Sequence, residues 1–138
     1  MPSITNRELS LIQFNRRVLE EAANPDNPLL ERGKFLSICA TNLDEFFMVR
    51  VGALYRSVEN GETKKDPAGM TPAEQLAAIF PEVRKLVSRQ YTLLQADYLP
   101  ALADAGILLL SVRQLSGEQK RWLSQYFDEQ IQPLLTPR

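Results

Sequence analysis

Histidine is absent from this 138-residue sequence. That removes serine–histidine and cysteine–histidine nucleophilic catalysis, most zinc sites and any phosphohistidine chemistry within these residues. Aspartate and glutamate remain as acids and bases. Cysteine is nearly absent too: Cys39 stands alone, so no internal disulfide forms and nothing ties the chain to an oxidising compartment. Neither charge sign dominates. Sixteen basic against seventeen acidic residues leave a net charge of −1, without the clustered basic face that nucleic acid requires. No stretch approaches the ~20 apolar residues of a membrane span, and the opening thirty residues scatter charges and prolines where a signal peptide would hold an apolar core. The expectation is a cytoplasmic protein with no nucleic-acid partner and no transmembrane segment. The six glycines are dispersed and form no phosphate-binding loop, and no pair of ligand-type residues has metal spacing.

Helix punctuation is abundant. Thr5-Asn6-Arg7-Glu8, Asn42-Leu43-Asp44-Glu45 and Ser116-Gly117-Glu118-Gln119 have capping-box spacing, with a cap residue followed three positions on by Glu or Gln. Asn27-Pro28 and Thr71-Pro72-Ala73-Glu74 add proline at the first helical position. These signals predict an all-α protein, a helical bundle of about four helices. The first should span Asn6 to Ala23, with Leu11, Phe14, Val18 and Ala22 on one face. The second should run from Leu29 to Thr41 and the third from Leu43 to Val58, before a polar loop at 60–70. The fourth should start at Pro72 and extend to Ala105, kinked at Pro81 and kinked or broken at Pro100. After Gly106, the apolar run Ile107 to Val112 fits a short buried strand, with a helix fragment as the alternative. A last helix should cover Gly117 to Ile131, and the chain stops in an apolar run at Pro133 to Arg138. A lone strand needs partners. The organisation expected is therefore a helical domain at 1–106 and the incomplete beginning of a second domain at 107–138.

Few side chains suggest chemistry. Asp44 and Glu45 are adjacent, ~100° apart on a helix, and form no acid–base pair; first-turn acids complementing the helix dipole are the plainer reading. Phe46, Phe47, Arg50 and Leu54 share a face. Arg50 there either pairs with a carboxylate on a neighbouring helix or faces an anionic ligand. Asn42 is a good N-cap that can also touch a ligand.

The residues Arg7-Glu8-Leu9-Ser10, Gln13-Phe14-Asn15, Asn27-Pro28-Leu29 and Asn42-Leu43-Asp44-Glu45-Phe46, with "RQLSGEQKRWLSQYF" from Arg113 and the closing "QPLLTP", resemble in order and spacing the opening of bacterial polyphosphate kinases. Leu11 departs from the pattern, standing where many members carry tryptophan. The resemblance implies an N-terminal helical domain at 1–106 and the start of a head domain at 107–138. It implies an enzyme that passes the ATP terminal phosphate through a histidine to a growing polyphosphate chain. The histidine and the magnesium ligands belong to catalytic domains whose positions are not among these residues, so no catalytic or metal-binding residue carries over and this part is expected to be inactive alone. One residue does: Asn42 helps cover the adenine of ATP. A homo-oligomer is also implied; Arg50 receives no role. The competing reading is a helical protein–protein interaction or oligomerisation module with no ligand.

Overall fold

The computed structural model describes residues 5–135. The chain divides into two compact units, Met1–Ala105 and Gly106–Arg138. The first is the expected all-α bundle, with α1 at Arg7–Ala23, α2 at Leu29–Glu45, α3 at Gly52–Glu59 and α4 at Pro72–Leu93 as its main helices. Helix α1 packs against both α2 and α4, and α3 packs against α4.

The largest departure from the sequence reading lies at Asn42. No helix begins there. Helix α2 runs through it to Glu45, a π-helical segment carries Phe46–Val51, and α3 follows directly. Glu45, Phe46, Val51 and Gly52 all keep right-handed helical dihedrals. The result is one uninterrupted rod of about 45 Å at 1.5 Å per residue. Asn42, Asp44 and Glu45 are thus interior helical residues rather than a cap and a first turn. Capping-box spacing is a local signal, and here burial of Leu36, Cys39, Leu43, Phe46 and Val51 along one continuous stripe overrides it.

The second long rod behaves similarly. Helix α4 continues through Pro81, whose position is exposed, as is that of Ala77, the residue whose carbonyl the proline ring leaves without a donor. Before Pro100 the helix widens into a π turn at Leu94–Tyr98, where the Leu99 N–H reaches Leu94 O, and α5 completes the rod at Leu99–Asp104. A five-residue reach relieves the missing proline donor without ending the helix.

Between the rods sit Ile12, Leu19, Cys39, Ile79, Leu86 and Leu93, each at most 2% exposed. Burying each large aliphatic among them is worth ~1.5–3 kcal/mol. The buried face of α1 is Ile12, Asn15, Leu19 and Ala22; Leu11 and Val18 are half-buried, and Phe14 is exposed, one position off the stripe expected. Ile38 and Phe47 also lie exposed. Gly33 of α2 lies under Tyr98: a Cβ there would sit 2.7 Å from the ring Cζ, so only glycine admits that approach.

Polar side chains clamp the ends. Asn6, one residue past the expected cap Thr5, accepts from the N–H groups of Glu8 and Leu9 at 3.0 Å. Its amide donates to Asp66 Oδ2 at 2.7 Å and to Gln75 Oε1 at 2.9 Å. These tertiary partners explain why Asn6 is chosen over Thr5. Asn27 does not cap α2; its amide donates to the carbonyl of Glu21 at 2.8 Å, at the end of α1. Buried Arg32 spans two junctions, donating from Nε to Ala22 O at 2.8 Å and from Nη2 to Asp97 at 2.6 Å. Thr71 and Glu74 form the expected capping box.

In the unit Gly106–Arg138 the expected strand is absent. Among the described residues there is no strand at all, and residues 107–111 have no regular structure. A 3-10 turn follows at Val112–Gln114, where Ser111 and Gln114 form a capping box. An isolated apolar run has no ladder to join, so its backbone closes a local turn instead. The expected helix is present as α6, Gly117–Tyr126, capped by Ser116 and continued by a π turn at Phe127–Ile131. Thr136, Pro137 and Arg138 of the expected cut-off end lie outside the described residues.

The polar loop expected at 60–70 is partly built. Asp66 accepts from the Met70 N–H at 2.8 Å, its own N–H meets Met70 O at 2.9 Å, and Gly69 supplies a φ of +86° for the turn. The Met70 N–H, opposed by partial desolvation and aided by Asn6, holds the Asp66 carboxyl below its usual range. A lowered folded-state value means the loop's stabilisation is complete above the unfolded-chain value, ~3.9, and disappears as pH falls through the folded one. The protection factors of the amides at Asp66, Gly69 and Met70 should therefore fall below about pH 4 before those of Leu86 or Leu93, and Asp66→Ala should lower them at neutral pH.

Candidate functional site

Continuity of the rod decides which way Asn42 points. On an unbroken helix, residues 42, 45, 46, 49 and 50 share one face. That face meets Leu11, Phe14 and Asn15 of α1, and together these eight residues enclose a pocket of about 290 Å³. Its size is at the lower limit of the ~300–1,000 Å³ typical of ligand sites. Half of the lining residues are apolar: Leu11, Phe46, and the exposed Phe14 and Val49. Its polar groups are Asn15, Asn42, Glu45 and Arg50.

Asn42 is half-buried and donates from Nδ2 to Asn15 Oδ1 at 2.9 Å. Asn15 is 4% exposed, and its backbone carbonyl lies 3.9 Å from Cys39 Sγ. Among the described residues no other hydrogen bond engages the Asn42 side chain, so its carbonyl oxygen and second N–H stay available. Arg50 lies on the same wall, with Nη1 3.9 Å from Glu8 Oε1 of α1. That is the neighbouring-helix carboxylate expected for it, held loosely enough that most of its five donors are uncommitted. Glu8 Oε2 is buried with no hydrogen-bond partner. The Arg50 guanidinium at the edge of the pocket offers donors to an electron-rich ligand, while the Glu8 carboxylate behind it and Glu45 on the wall oppose this.

Of the residues singled out in the sequence, the fold brings Asn42, Glu45, Phe46 and Arg50 to one pocket. Asp44 and Phe47 go elsewhere, to a broad open groove of about 1290 Å³ beside α4. Asn15 was not anticipated as a site residue. The available signal was a polar residue three after Ile12 and four before Leu19, in the middle of a buried stripe. Among the described residues no three Asp, Glu or Cys side chains gather as a metal site would. No helix among them is long and apolar enough to cross a membrane.

Comparison with known proteins places this geometry. Residues 4–110 match the family model for the polyphosphate kinase N-terminal domain. The chain is 50% identical over 133 residues to a polyphosphate kinase of Lactiplantibacillus plantarum, covering 96% of this chain and 18% of that protein. It is 49% identical over 133 residues to one of Bacillus cereus, covering 96% and 19%. Among solved structures it superposes on the polyphosphate kinase of Porphyromonas gingivalis with a TM-score of 0.79 and 32% identity, covering 96% of this chain and 18% of that one. The chain thus spans less than a fifth of the length of the relatives it matches.

The seam behind the pocket can be probed through Cys39. Its side chain is fully buried and burial pushes its thiol pKa up, so both access and thiolate fraction are low. Modification by a disulfide reagent at pH 8 should run more than about a hundredfold slower than for the denatured chain, an opening free energy above ~2.7 kcal/mol. Labelling at the denatured rate would show that α1 and α2 do not hold together as described.

Proposed function

This chain belongs to the polyphosphate kinase N-terminal domain family, and on that premise we propose that its pocket covers the adenine end of ATP in the intact enzyme through Asn42. The observation carrying the proposal is that Asn42, freed from capping, lines a small pocket of mixed polarity with its carbonyl oxygen and one N–H uncommitted. Aromatic and aliphatic walls suit the faces of a purine, and an amide suits its polar edge.

The intact enzyme transfers the terminal phosphate of ATP to polyphosphate. A histidine nitrogen attacks the γ-phosphorus, ADP departs, and the terminal oxygen of the chain then takes the phosphoryl group and regenerates the histidine. Residues 1–138 contain no histidine, so their share in this scheme is binding and not chemistry. We assign 1–106 to the N-terminal helical domain and 107–138 to the opening of the head domain, in a cytoplasmic homo-oligomer that uses ATP and polyphosphate. The interaction-module reading accounts less well for the polar groups gathered in the small pocket; it keeps the broad groove as its best support.

Two measurements test this reading. Asn42→Ala in the intact enzyme should raise KM for ATP about 3–10-fold, the worth of one or two ordinary hydrogen bonds, with kcat within about twofold. Alanine is the better helix former by ~0.6 kcal/mol, so helix α2 survives the change. An unchanged KM overturns the adenine contact. Residues 1–138 alone, incubated with labelled ATP, magnesium and polyphosphate, should form no acid-labile phosphoprotein and extend no chain; turnover above a contaminant control overturns the assignment of chemistry to a histidine elsewhere.

A further inference from the structure

Asn42, Glu45 and Arg50 line one pocket from the same face of one continuous helical rod. At about 1.5 Å per residue, Glu45 stands ~4.5 Å and Arg50 ~12 Å along the axis from Asn42. The wall therefore presents an amide, a carboxylate and a guanidinium, in that order. Two of the three have contacts within the domain: Asn42 donates to Asn15 at 2.9 Å, and Arg50 lies 3.9 Å from Glu8. Glu45 has none. It is exposed, and among the described residues neither a hydrogen bond nor an ion pair engages its carboxylate. It lies in the middle of the rod, away from the first turn where an acid complements the helix dipole. Arg50, a π turn further on, pairs with Glu8 rather than with it. A carboxylate accepts and does not donate, so one left free in a pocket wall suits a ligand group that presents donors side by side, and it repels an anion.

We propose that Glu45 binds the ribose of the nucleotide, its two oxygens accepting from the two sugar hydroxyls, so that the site distinguishes a ribonucleotide from one without those hydroxyls. The inference rests on the adenine reading above and extends it from the base to the sugar. A nucleotide offers three kinds of polar group in a fixed order. The edge of adenine sets a donor, its amine, beside a ring-nitrogen acceptor, and the free carbonyl and N–H of Asn42 complement that pair. The ribose comes next, with adjacent hydroxyl donors; an acidic side chain reads the same sugar in dinucleotide-binding folds. The phosphates come last and are anionic acceptors. With the base at Asn42, the carboxylate one turn on meets the sugar, and the guanidinium beyond it lies on the phosphate side. The opposite placement sets phosphate against Glu45, which like charge disfavours. Three groups on one wall thus match three parts of one ligand in sequence.

The test is a cycle in the intact enzyme that removes the carboxylate from the protein and the hydroxyls from the substrate. KM and kcat are measured for ATP and for dideoxy-ATP, which lacks both ribose hydroxyls. The wild-type enzyme should prefer ATP in kcat/KM by about tenfold or more, the equivalent of a hydrogen bond to a charged acceptor. Glu45→Ala should cut that preference at least about fivefold. Loss of the charge itself acts on both nucleotides through their phosphates and cancels in the ratio. Glu45 is exposed and alanine is the best helix former, so the variant folds. Asn42→Ala should raise KM for both nucleotides and leave the ratio within about twofold, because the base is common to them. No preference in the wild-type enzyme, or an undiminished preference in Glu45→Ala, overturns the inference. A normal KM for ATP in Asn42→Ala overturns the adenine reading, and with it the register that sets Glu45 beside the sugar; a raised KM there with an unchanged ratio in Glu45→Ala overturns this inference alone.

Discussion

Everything distinctive about this domain depends on the helix that does not stop between Leu29 and Glu59. Had it broken at Asn42, the amide would be consumed at a helix start and the residues from Glu45 to Arg50 would face a different direction. Because the backbone stays helical, one stripe of apolar residues runs the length of the rod and buries against α1 and α4. The same continuity sets Asn42, Glu45, Phe46, Val49 and Arg50 on one wall. The π-helical segment from Phe46 to Val51 lies within that wall. Insertions of this kind are frequent at functional sites, since the extra residue re-aims side chains without ending the helix.

Apolar burial makes the bundle, but polar groups locate its parts. Asn6 joins the start of α1 to the loop at Asp66 and to Gln75 of α4. Arg32 joins the end of α1 to Asp97 on the second rod. Asn15 joins α1 to Asn42. Each is less than a tenth exposed and each is hydrogen-bonded. A buried polar group left unpaired is destabilising by ~1–3 kcal/mol, so a slipped helix register would be penalised at three separate places, whereas apolar contacts tolerate sliding. The pocket inherits this rigidity, being built on two helices locked at the very seam that lines it.

The pocket is thus a wall of two packed helices rather than a loop. One amide and one loosely paired arginine fall far short of the ~8 kcal/mol that micromolar affinity requires, so on the proposed adenine reading the wall contributes orientation rather than affinity.

The sequence by itself determined the helical class, the extent of α1, the starts of α4 and α6, and the caps at Thr71 and Ser116. All of these follow from forces acting within a few residues: propensity, i to i+3 capping and apolar periodicity. It also carried the family, because motif order and spacing survive in the linear chain. Tertiary structure decided the rest. It moved the first cap from Thr5 to Asn6, since only Asn6 reaches Asp66 and Gln75. It erased the helix start at Asn42, because burying one continuous stripe outweighs the ~1 kcal/mol of a cap. It left residues 107–111 without a sheet, for want of any strand to pair with. And it gave Asn42 its partner: twenty-seven residues of sequence separate it from Asn15, and no local rule connects an asparagine on one helix to an asparagine on another until the two helices are packed.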